Sequence, residues 1–336
     1  MSKFSLGVLE KRVFPFTEIR DPDVLLGAAF GEDVALVQIG GDILAAHVDP
    51  IVGAVKGIGW LAVHVACNDI AASGVRPRWV LLLVMVPTPE DEETLEEIMG
   101  DADRAAKSIG ASIIGGHTGY SSGLSRPLVA VSAFGTAGDR KPVRTSGARA
   151  GDHVFITKGI GLEGTGILST DFADLAKERG LTQDDLAEAR ALMRQVSVLP
   201  EALALADHGA TAMHDVTRGG LLETLLEIAR LSDVKVEIDM ATVPLPDIVR
   251  RFADAFEFDP LRMISSGTLA ATVPAGRAAE AARALEVIGI VYGDVGRITE
   301  GAGVRLIRGE ESSSYTEVRA EEDELARLWA LHRPGG

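Results

Sequence analysis

Cysteine is almost absent from this sequence, because Cys67 is the only one in 336 residues. A single cysteine excludes an intrachain disulfide and a Cys-rich zinc site. This usage fits a reducing compartment, and we expect a cytoplasmic protein. The first residues lack a basic stretch followed by an apolar run and a small-residue cleavage site, so no secretory signal is predicted.

Long apolar runs and an excess of basic residues are also missing. The longest apolar run, residues 79–87, is far shorter than the roughly 20 residues that cross a bilayer. Lys and Arg number 33 against 49 Asp and Glu, which gives a formal charge of −16. Nucleic-acid binding needs clustered cations, so we expect neither a nucleic acid nor a membrane as partner. The excess carboxylates can recruit a divalent cation, which in turn binds phosphates. Alternatively, they only keep the protein surface soluble.

The remaining composition, 46% hydrophobic and 24% charged, is typical of a globular protein. The length favours two domains, and alternating patterns predict an α/β (α+β) fold with domains at 1–145 and 150–310 and a C-terminal helix or tail at 311–336. In the first half we predict strands at 34–39, 42–48, 79–86, 111–114 and 128–135, and helices at 58–73 and from about Thr88 to Ile109. In the second half we predict strands at 153–157, 234–238, 268–273 and 291–298, a glycine-punctuated turn at 158–166, and helices at 182–195, 199–207, 220–231, 246–256 and 276–288.

Three acids in the first half stand at the ends or in the interior of predicted elements: Asp33, Asp49 and Asp69. Carboxylate oxygens are the ligands that Mg²⁺ prefers, with water and substrate phosphates completing its coordination. Each acid also has a structural explanation, since Asp33 could begin a strand and Asp49 could form a turn with Pro50. Asp69 lies in an apolar helical segment, where an acid without a partner is costly. Metal ligation and structural hydrogen bonding therefore both stay open.

A glycine-rich stretch comes directly after the predicted strand at 111–114. It reads Gly115, Gly116, His117 and Thr118. Small residues let a backbone approach a phosphate closely, although a plain tight turn has the same composition. The stretch matches neither a P-loop nor a dinucleotide fingerprint. His117 could ligate metal or be a hydrogen-bonded turn residue, and Lys56, before a predicted helix, could contact phosphate or be a surface lysine.

Polar groups also precede the predicted helix at 220–231, namely His214, Asp215, Thr217 and Arg218. Hydroxyl, guanidinium and free helix N–H groups would converge there on one anion, which indicates a catalytic or substrate site. The alternative is a helix N-cap with a surface arginine. Residues 265–268 either face the same cleft or form a turn. Cys67, among apolar neighbours, is interpreted as a core residue and not as a nucleophile.

Taken together, these segments resemble the family of aminoimidazole ribonucleotide (AIR) synthase, the hydrogenase-maturation protein HypE, selenophosphate synthetase and thiamine-monophosphate kinase. The matching pieces occur in family order between about residues 30 and 300 and are specific as an ordered set. They are Gly31-Glu32-Asp33-Val34-Ala35, Val48-Asp49-Pro50, Asn68-Asp69-Ile70-Ala71-Ala72-Ser73-Gly74 with Pro77, Gly115-Gly116-His117-Thr118, Gly151-Asp152 through Gly166, Asp215-Val216-Thr217-Arg218-Gly219-Gly220 and Ser265-Ser266-Gly267-Thr268-Leu269.

The resemblance implies an N-terminal domain whose strands pair across a homodimer into a barrel, and a C-terminal α/β domain beside it. It implies that Asp33, Asp49 and Asp69 hold Mg²⁺ on ATP, with Asn68 and residues 115–118 near the phosphates. Members of the family attack the γ-phosphate with a substrate oxygen, commonly of an amide or thioamide-type group, or with selenide. Such chemistry depends on positioning and charge neutralisation and requires no covalent enzyme nucleophile.

Departures from the family patterns narrow the assignment. HypE carries its reacting thiol on a C-terminal cysteine, whereas this sequence reads Leu331-His332-Arg333-Pro334-Gly335-Gly336, so self-carried cyanide synthesis is not expected in that form. Selenophosphate synthetase uses a Cys or selenocysteine in an N-terminal loop, and no cysteine precedes Cys67. AIR synthase usually has Gly-Gly-Glu-Thr-Ala where this chain has His117, and thiamine-monophosphate kinases usually have an Asp-Ser-Asp-Gly type segment where this chain has residues 215–220.

The HypE-like branch is therefore the best match. Our leading hypothesis is an ATP-dependent enzyme that phosphorylates an oxygen of a small amide- or carboxylate-type substrate, bound between Arg218 and the metal. The alternatives are an ATP-binding regulator or assembly partner of another protein, without turnover, and a structural dimer that binds no nucleotide.

Overall fold

The structure is a computed structural model that describes residues 4, 6–52, 56–317 and 323–332. The helices among these residues are α1 (Leu6–Arg12), α2 (Ile58–Ala72), α3 (Glu92–Ile109), α4 (Leu162–Asp171), α5 (Ala173–Glu178), α6 (Gln183–Ala191), α7 (Leu199–Asp207), α8 (Gly220–Ser232), α9 (Asp247–Phe256), α10 (Ala278–Val287) and α11 (Glu324–Leu331). None of these described helices is long and apolar enough to span a membrane. The terminal sequence Arg333 to Gly336, on which the HypE comparison depended, lies outside the described residues.

The described strands form two separate sheets. Together with the helices, they confirm the prediction of a mixed α/β protein. The first sheet contains β1 (Val24–Leu26), β2 (Ala35–Ile39), β3 (Asp42–Val52), β4 (Pro77–Val86), β5 (Ser112–Tyr120) and β6 (Leu128–Thr136), in the order β1-β2-β3-β6-β4-β5. The second contains β7 (His153–Thr157), β8 (Ala212–Asp215), β9 (Lys235–Asp239), β10 (Leu269–Val273), β11 (Tyr292–Thr299), β12 (Gly303–Arg308) and β13 (Glu311–Tyr315), in the order β13-β12-β9-β11-β7-β10-β8.

Helix α2 lies at the centre of the molecule, and every residue in it except Trp60 is buried. It contacts the first sheet, α3 and α7. Apolar residues of the first sheet and α2 share one core with α7 and β10 from the second half. A helix that is apolar all round belongs inside a protein, so the polar Asn68 and Asp69 in α2 must satisfy their polar groups within the structure.

The predicted hairpin is confirmed, because β2 and β3 pair antiparallel on either side of Gly40-Gly41. The start of α3 was predicted too early. The Thr88 N–H and hydroxyl donate to Asp91 Oδ2 at 2.8 and 3.1 Å, which forms a turn, and the helix begins at Glu92. Its predicted end at Gly110 is confirmed by the left-handed conformation of that residue, with φ of 72°.

The prediction of a loop at residues 115–118 is wrong, because all four residues belong to β5. Strand β5 pairs in parallel with β4 as far as Tyr120. A Cβ atom on Gly116 would lie 1.9 Å from the carbonyl oxygen of Leu82. The glycine therefore permits close contact between two strands, which from sequence looked like space for a ligand.

In the second half the predicted strands and most predicted helices are present, within one or two residues at their ends. The helix predicted at 182–195 ends at Ala191 and continues as a 3-10 turn to Gln195. The predicted turn at 158–166 instead contains the first half of α4. Strand β13, which we placed in the C-terminal tail, pairs with β12. The domain limits and the barrel across a dimer stay predictions.

Candidate functional site

A cavity of about 750 Å³ lies between the two halves of the chain. Its walls come from the segment before β2, the end of β3 and one face of α2 in the first half. In the second half they come from the start of α4, the turn between β8 and α8, α8 itself, the segment before β10 and α11. The cavity therefore collects side chains that are far apart in sequence.

Three of the carboxylates that line this cavity have a fourth, Asp215, close by. Asp33 precedes β2, Asp49 lies in β3, Asp69 lies in α2, and Asp215 ends β8 behind the lining residues. Burial raises the pKa of Asp69 well above its usual value, and the carboxylates of Asp215, Asp33 and Asp49 raise it further. Mutual effects of this kind require the acids to be close together. The structure therefore brings Asp33, Asp49 and Asp69 together, with Asp215 beside them, and their role as metal ligands stays a prediction.

His214 is the positive partner inside this cluster. Its Nε2 lies 2.9 Å from Glu227 Oε2, and its Nδ1 lies 3.2 Å from Asp33 Oδ1 and 3.8 Å from Asp215 Oδ1. Burial lowers the pKa of His214, but Asp33, Asp215 and Glu227 outweigh burial and hold it well above its usual value. We therefore treat His214 as an imidazolium that orients the carboxylates and not as a metal ligand.

The acid cluster has room for a further cation. Among the described residues, neither carboxylate oxygen of the fully buried Asp215 accepts a hydrogen bond. One oxygen of Asp33 and one oxygen of Asp215 lie within 4.8 Å of each other, which is close enough for both to contact one ion. Buried carboxylates without donors are costly. This donor set suits a hard divalent cation such as Mg²⁺.

A second histidine, His47, was not identified from sequence. It lies in β3, and its Nε2 is 3.3 Å from Asp69 Oδ2. Strand alternation places it two residues before Asp49 on the same face. The two-residue spacing between His47 and Asp49 is the sequence signal that could have identified His47 as a site residue.

The turn between β8 and α8 supplies Thr217 and Arg218, which are half-buried and line the cavity. Gly220 has φ of 67°, and a Cβ there would lie 2.4 Å from the Leu261 carbonyl oxygen. Only glycine fits this conformation and this approach. The N-cap of α8 is Gly219, which has no side chain to cap the helix, and its N–H donates to Asp323 Oδ2 at 3.2 Å. Thr217 and Arg218 line the cavity, and their catalytic role stays a prediction.

Glu163, in the first turn of α4, is the main residue that the sequence reasoning missed. It is 3% exposed, lines the cavity and accepts a hydrogen bond from the Ser266 backbone N–H at 3.3 Å. Burial raises the pKa of Glu163 to about 7, although its hydrogen bonds from Ser266 and the charge of Arg218 oppose this. A carboxyl group with a pKa near neutrality can exchange a proton with a substrate. Its position in a glycine-rich segment had favoured a turn.

Several predicted cofactor residues do not line the cavity. The role of Asn68 near phosphates needs correction, because its Nδ2 donates to the Val196 carbonyl at 2.7 Å and its Oδ1 accepts from the Val198 N–H at 2.9 Å. Both ends of this amide join α2 to the second half. Lys56 is exposed just before α2. Gly115, Gly116, His117 and Thr118 lie on the exposed edge strand β5.

Two smaller alternatives are now decided. Ser265 Oγ accepts from the Leu162 N–H at 3.1 Å and is bonded to Thr268 Oγ1 at 2.7 Å, whereas Ser266 lines the cavity. The segment therefore has one structural serine and one that faces the site. Cys67 is buried, and burial together with the charge of Asp69 raises its pKa to about 12, which agrees with a core residue.

Comparison with known proteins identifies the family. Residues 31–137 match the model of the AIR synthase related protein, N-terminal domain, and residues 149–309 match that of its C-terminal domain. The chain is 31% identical over 230 residues to the carbamoyl dehydratase HypE of Rhizobium leguminosarum bv. viciae, a match that covers 64% of this chain and 60% of that protein.

Two further likenesses cover more of the chain. It is 27% identical over 315 residues to the selenide, water dikinase of Myxococcus xanthus, which covers 84% of this chain and 86% of that protein. A crystal structure of the hydrogenase maturation protein HypE in complex with ATP superposes with a TM-score of 0.71 at 24% identity, covering 92% of each chain. This last similarity supports the fold alone.

Proposed function

Because the chain belongs to the AIR synthase-related family, we propose that it is a Mg²⁺- and ATP-dependent enzyme. It would transfer a phosphoryl group to an oxygen of a small amide- or carboxylate-type substrate. The observation that carries this proposal is that Asp33, Asp49 and Asp69 line one cavity, with Asp215 close to Asp69. The names of the relatives, a carbamoyl dehydratase and a dikinase, agree with it.

Asp33, Asp49 and Asp69, together with Asp215, would hold Mg²⁺. The ion would supply positive charge to the phosphates of ATP, which the acidic cavity otherwise repels. Arg218 would bind the transferred phosphoryl group or the substrate by charge-assisted hydrogen bonds. The imidazolium of His214 would keep Asp33 and Asp215 in position through its contacts at 3.2 and 3.8 Å.

We assign the proton transfer to Glu163. When an amide oxygen attacks the γ-phosphorus, the bond from that phosphorus to the bridging oxygen of ADP breaks. The amide nitrogen becomes acidic, and its N–H proton would pass to the Glu163 carboxylate. A buried carboxylate beside Arg218 is suited to this step, because it lies in the cavity wall and its pKa is about 7. A carboxylate substrate would need no such proton acceptor.

A homodimer is proposed on the exposed edge of the first sheet. Among the described strands, β5 has a neighbour on only one side, and its Ile114 and Tyr120 are 57% and 62% exposed. Exposed edge strands are available for pairing with another chain.

Residues 115–118 do not line the cavity of their own chain, so the proposed contacts of His117 and Thr118 with phosphate would be made across the dimer. Lys56 keeps its proposed phosphate contact. A cytoplasmic location and a protein partner stay predictions.

The proposal is tested by ADP release from Mg-ATP, measured with a series of small amides and their matching carboxylates. We expect at least one of these compounds to accelerate ADP release, and excess chelator to abolish the acceleration. An enzyme that binds Mg-ATP but releases no ADP with any of them would favour the ATP-binding regulator instead. Absence of nucleotide binding would contradict both.

A further inference from the structure

A second cavity, of about 760 Å³, is separate from the acidic one. It lies between the first turns of α2, the end of α3, the segment at residues 194–200 and the turn at residues 289–291. Its volume is in the range of sites for small organic molecules. No Asp or Glu from the described part of the chain lines it, in a protein whose formal charge is −16.

Arg76 and Arg194 give this cavity its charge. Both are exposed, and neither guanidinium forms an ion pair or a hydrogen bond with any described residue. Lys158 also lines the cavity, but its Nζ lies 2.6 Å from Oε1 of the fully buried Glu201, which compensates its charge. The net positive charge therefore comes from the two arginines, and guanidinium groups suit bidentate contacts with carboxylate or phosphate.

An aromatic wall adjoins these charges. The rings of Trp60 and His64 are 4.4 Å apart at 60°, and the Trp60 indole N–H donates to the Met193 carbonyl at 3.0 Å. That hydrogen bond fixes the indole, which is part-buried and lines the cavity. A fixed aromatic surface favours a flat apolar ligand group.

His64, in the same wall, has a ring nitrogen without a hydrogen-bond partner among the described residues. It is 2% exposed, its Nε2 is 3.5 Å from Ser108 Oγ, and its Nδ1 has no hydrogen-bond partner among the described residues. Burial, helped by the charge of Lys158, lowers the pKa of His64 to about 4, so the ring is neutral. A buried polar nitrogen without a partner is uncommon in folded proteins.

Backbone dipoles do not decide the charge preference. The C-terminal end of α3 and the N-terminal end of α7 both reach the wall, at Gly110 and Leu199. Their partial charges have opposite signs, and Pro200 has no N–H to donate. Side chains, chiefly Arg76 and Arg194, therefore set the sign of the potential.

We propose that this second cavity binds a small organic anion, whose carboxylate or phosphate contacts Arg76 and Arg194 and whose flat apolar part contacts Trp60. This site would be independent of the Mg-ATP site, because its charges have the opposite sign and need no divalent cation. The inference does not rest on the proposed function.

The test is calorimetric titration of phenyl phosphate and, separately, benzoate into the full chain with excess chelator and no nucleotide. The chelator keeps the acidic cavity repulsive to anions. We expect binding of at least one of the two, and the stronger ligand identifies the preferred acid group. Arg194→Ala and Arg76→Ala should each weaken binding at least about fivefold, since each removes a charge-assisted contact, and added salt should weaken it further.

Arg308→Ala is the matched control, because Arg308 is exposed, unpaired among the described residues and outside both cavities. This variant should bind like the wild type. The two test arginines are also exposed, so their removal should leave the fold intact. The inference is overturned if neither probe binds, if Arg194→Ala and Arg76→Ala bind like the wild type, or if Arg308→Ala weakens binding equally.

Discussion

Two cavities of similar size, about 750 and 760 Å³, have opposite electrostatic character in one chain. The acidic residues that line the first are Glu32, Asp33, Asp49, Asp69, Glu163, Glu223, Glu227 and Glu317, whereas none lines the second among the described residues. Helix α2 contributes to both, with Asp69 in one wall and Trp60 in the other. A net charge of −16 therefore does not determine the sign of a particular site.

Burial also differs between the two cavities. The carboxylates of Asp69 and Asp215 are buried, and burial together with the charge of Asp215 raises the pKa of Asp69. The guanidinium groups of Arg76 and Arg194 are exposed, where solvent weakens charge interactions. We therefore expect substitutions in the acidic cavity to have larger effects than substitutions in the basic one.

The largest effect is expected from Glu163→Gln, which removes the proposed proton acceptor at nearly constant shape. Amide-dependent ADP release should fall by roughly 10² to 10⁴-fold, the range for general acid–base catalysis, while Mg-ATP affinity stays within about threefold. Glu178→Gln makes the same change at an exposed position on α5 and should behave like the wild type. Unchanged turnover in Glu163→Gln would remove this residue from the mechanism.

The next effect concerns Asp69→Asn, which removes one proposed ligand charge. Mg-dependent ATP affinity should fall at least about 100-fold, and anion binding in the second cavity should not change. In chelator the variant should be more stable than the wild type, because a buried carboxylate surrounded by like charges disfavours the folded state. Calorimetry and thermal unfolding measure the two quantities.

Asp254→Asn is the control for this variant, since Asp254 is exposed on α9. Neither its nucleotide affinity nor its stability should change. If Asp69→Asn bound Mg-ATP normally, Asp69 would be a structural acid.

A smaller effect, on the stability of the folded protein, is expected from Asn68→Ala. The two hydrogen bonds of Asn68 join α2 to Val196 and Val198, beside the wall of the second cavity. Their loss leaves buried backbone groups unpaired and should lower the free energy of unfolding by about 2 to 4 kcal/mol. Chemical denaturation in chelator measures this. Normal stability combined with weakened ATP binding would restore the phosphate role that the sequence suggested.

The smallest effect is the contribution of the acidic cavity to the pH dependence of stability. Glu163 has a pKa of about 7 against an ordinary 4.5, and the pKa of Asp69 is also raised. Raised pKa values favour the folded state at low pH, so this stability is lost as the pH rises from about 5 to about 8. Thermal unfolding in chelator should show the loss, and Glu163→Gln should reduce it. Stability that increased over this interval in the wild type would contradict the assignment.

The sequence predicted the parts of this protein that depend on local signals. Helix α3 ends at a glycine with positive φ, and the hairpin of β2 and β3 turns at two glycines. Asp49 was expected to end a strand, whereas β3 continues through it to Val52. The prediction of a loop at residues 115–118 was wrong, because a glycine such as Gly116 serves close strand packing as readily as ligand binding.

The remaining features depend on tertiary contacts that leave no local pattern. Glu163 becomes unusual only when Ser266 and Arg218 surround it. The second cavity combines Trp60, Arg76 and Arg194 from separate elements, and no motif connects them. The resemblance placed Asn68 near the phosphates beside Asp69, whereas consecutive helix residues point in different directions.

The central claim is that the buried carboxylates form a magnesium-dependent ATP site. Its most direct test is calorimetric titration of ATP into the wild type and Asp69→Asn, first with Mg²⁺ and then with excess chelator. We predict that the wild type binds ATP with Mg²⁺, that Asp69→Asn binds it at least about 100-fold more weakly, and that neither protein binds ATP in chelator. Equal binding in chelator, or no binding by the wild type in either condition, would contradict the account.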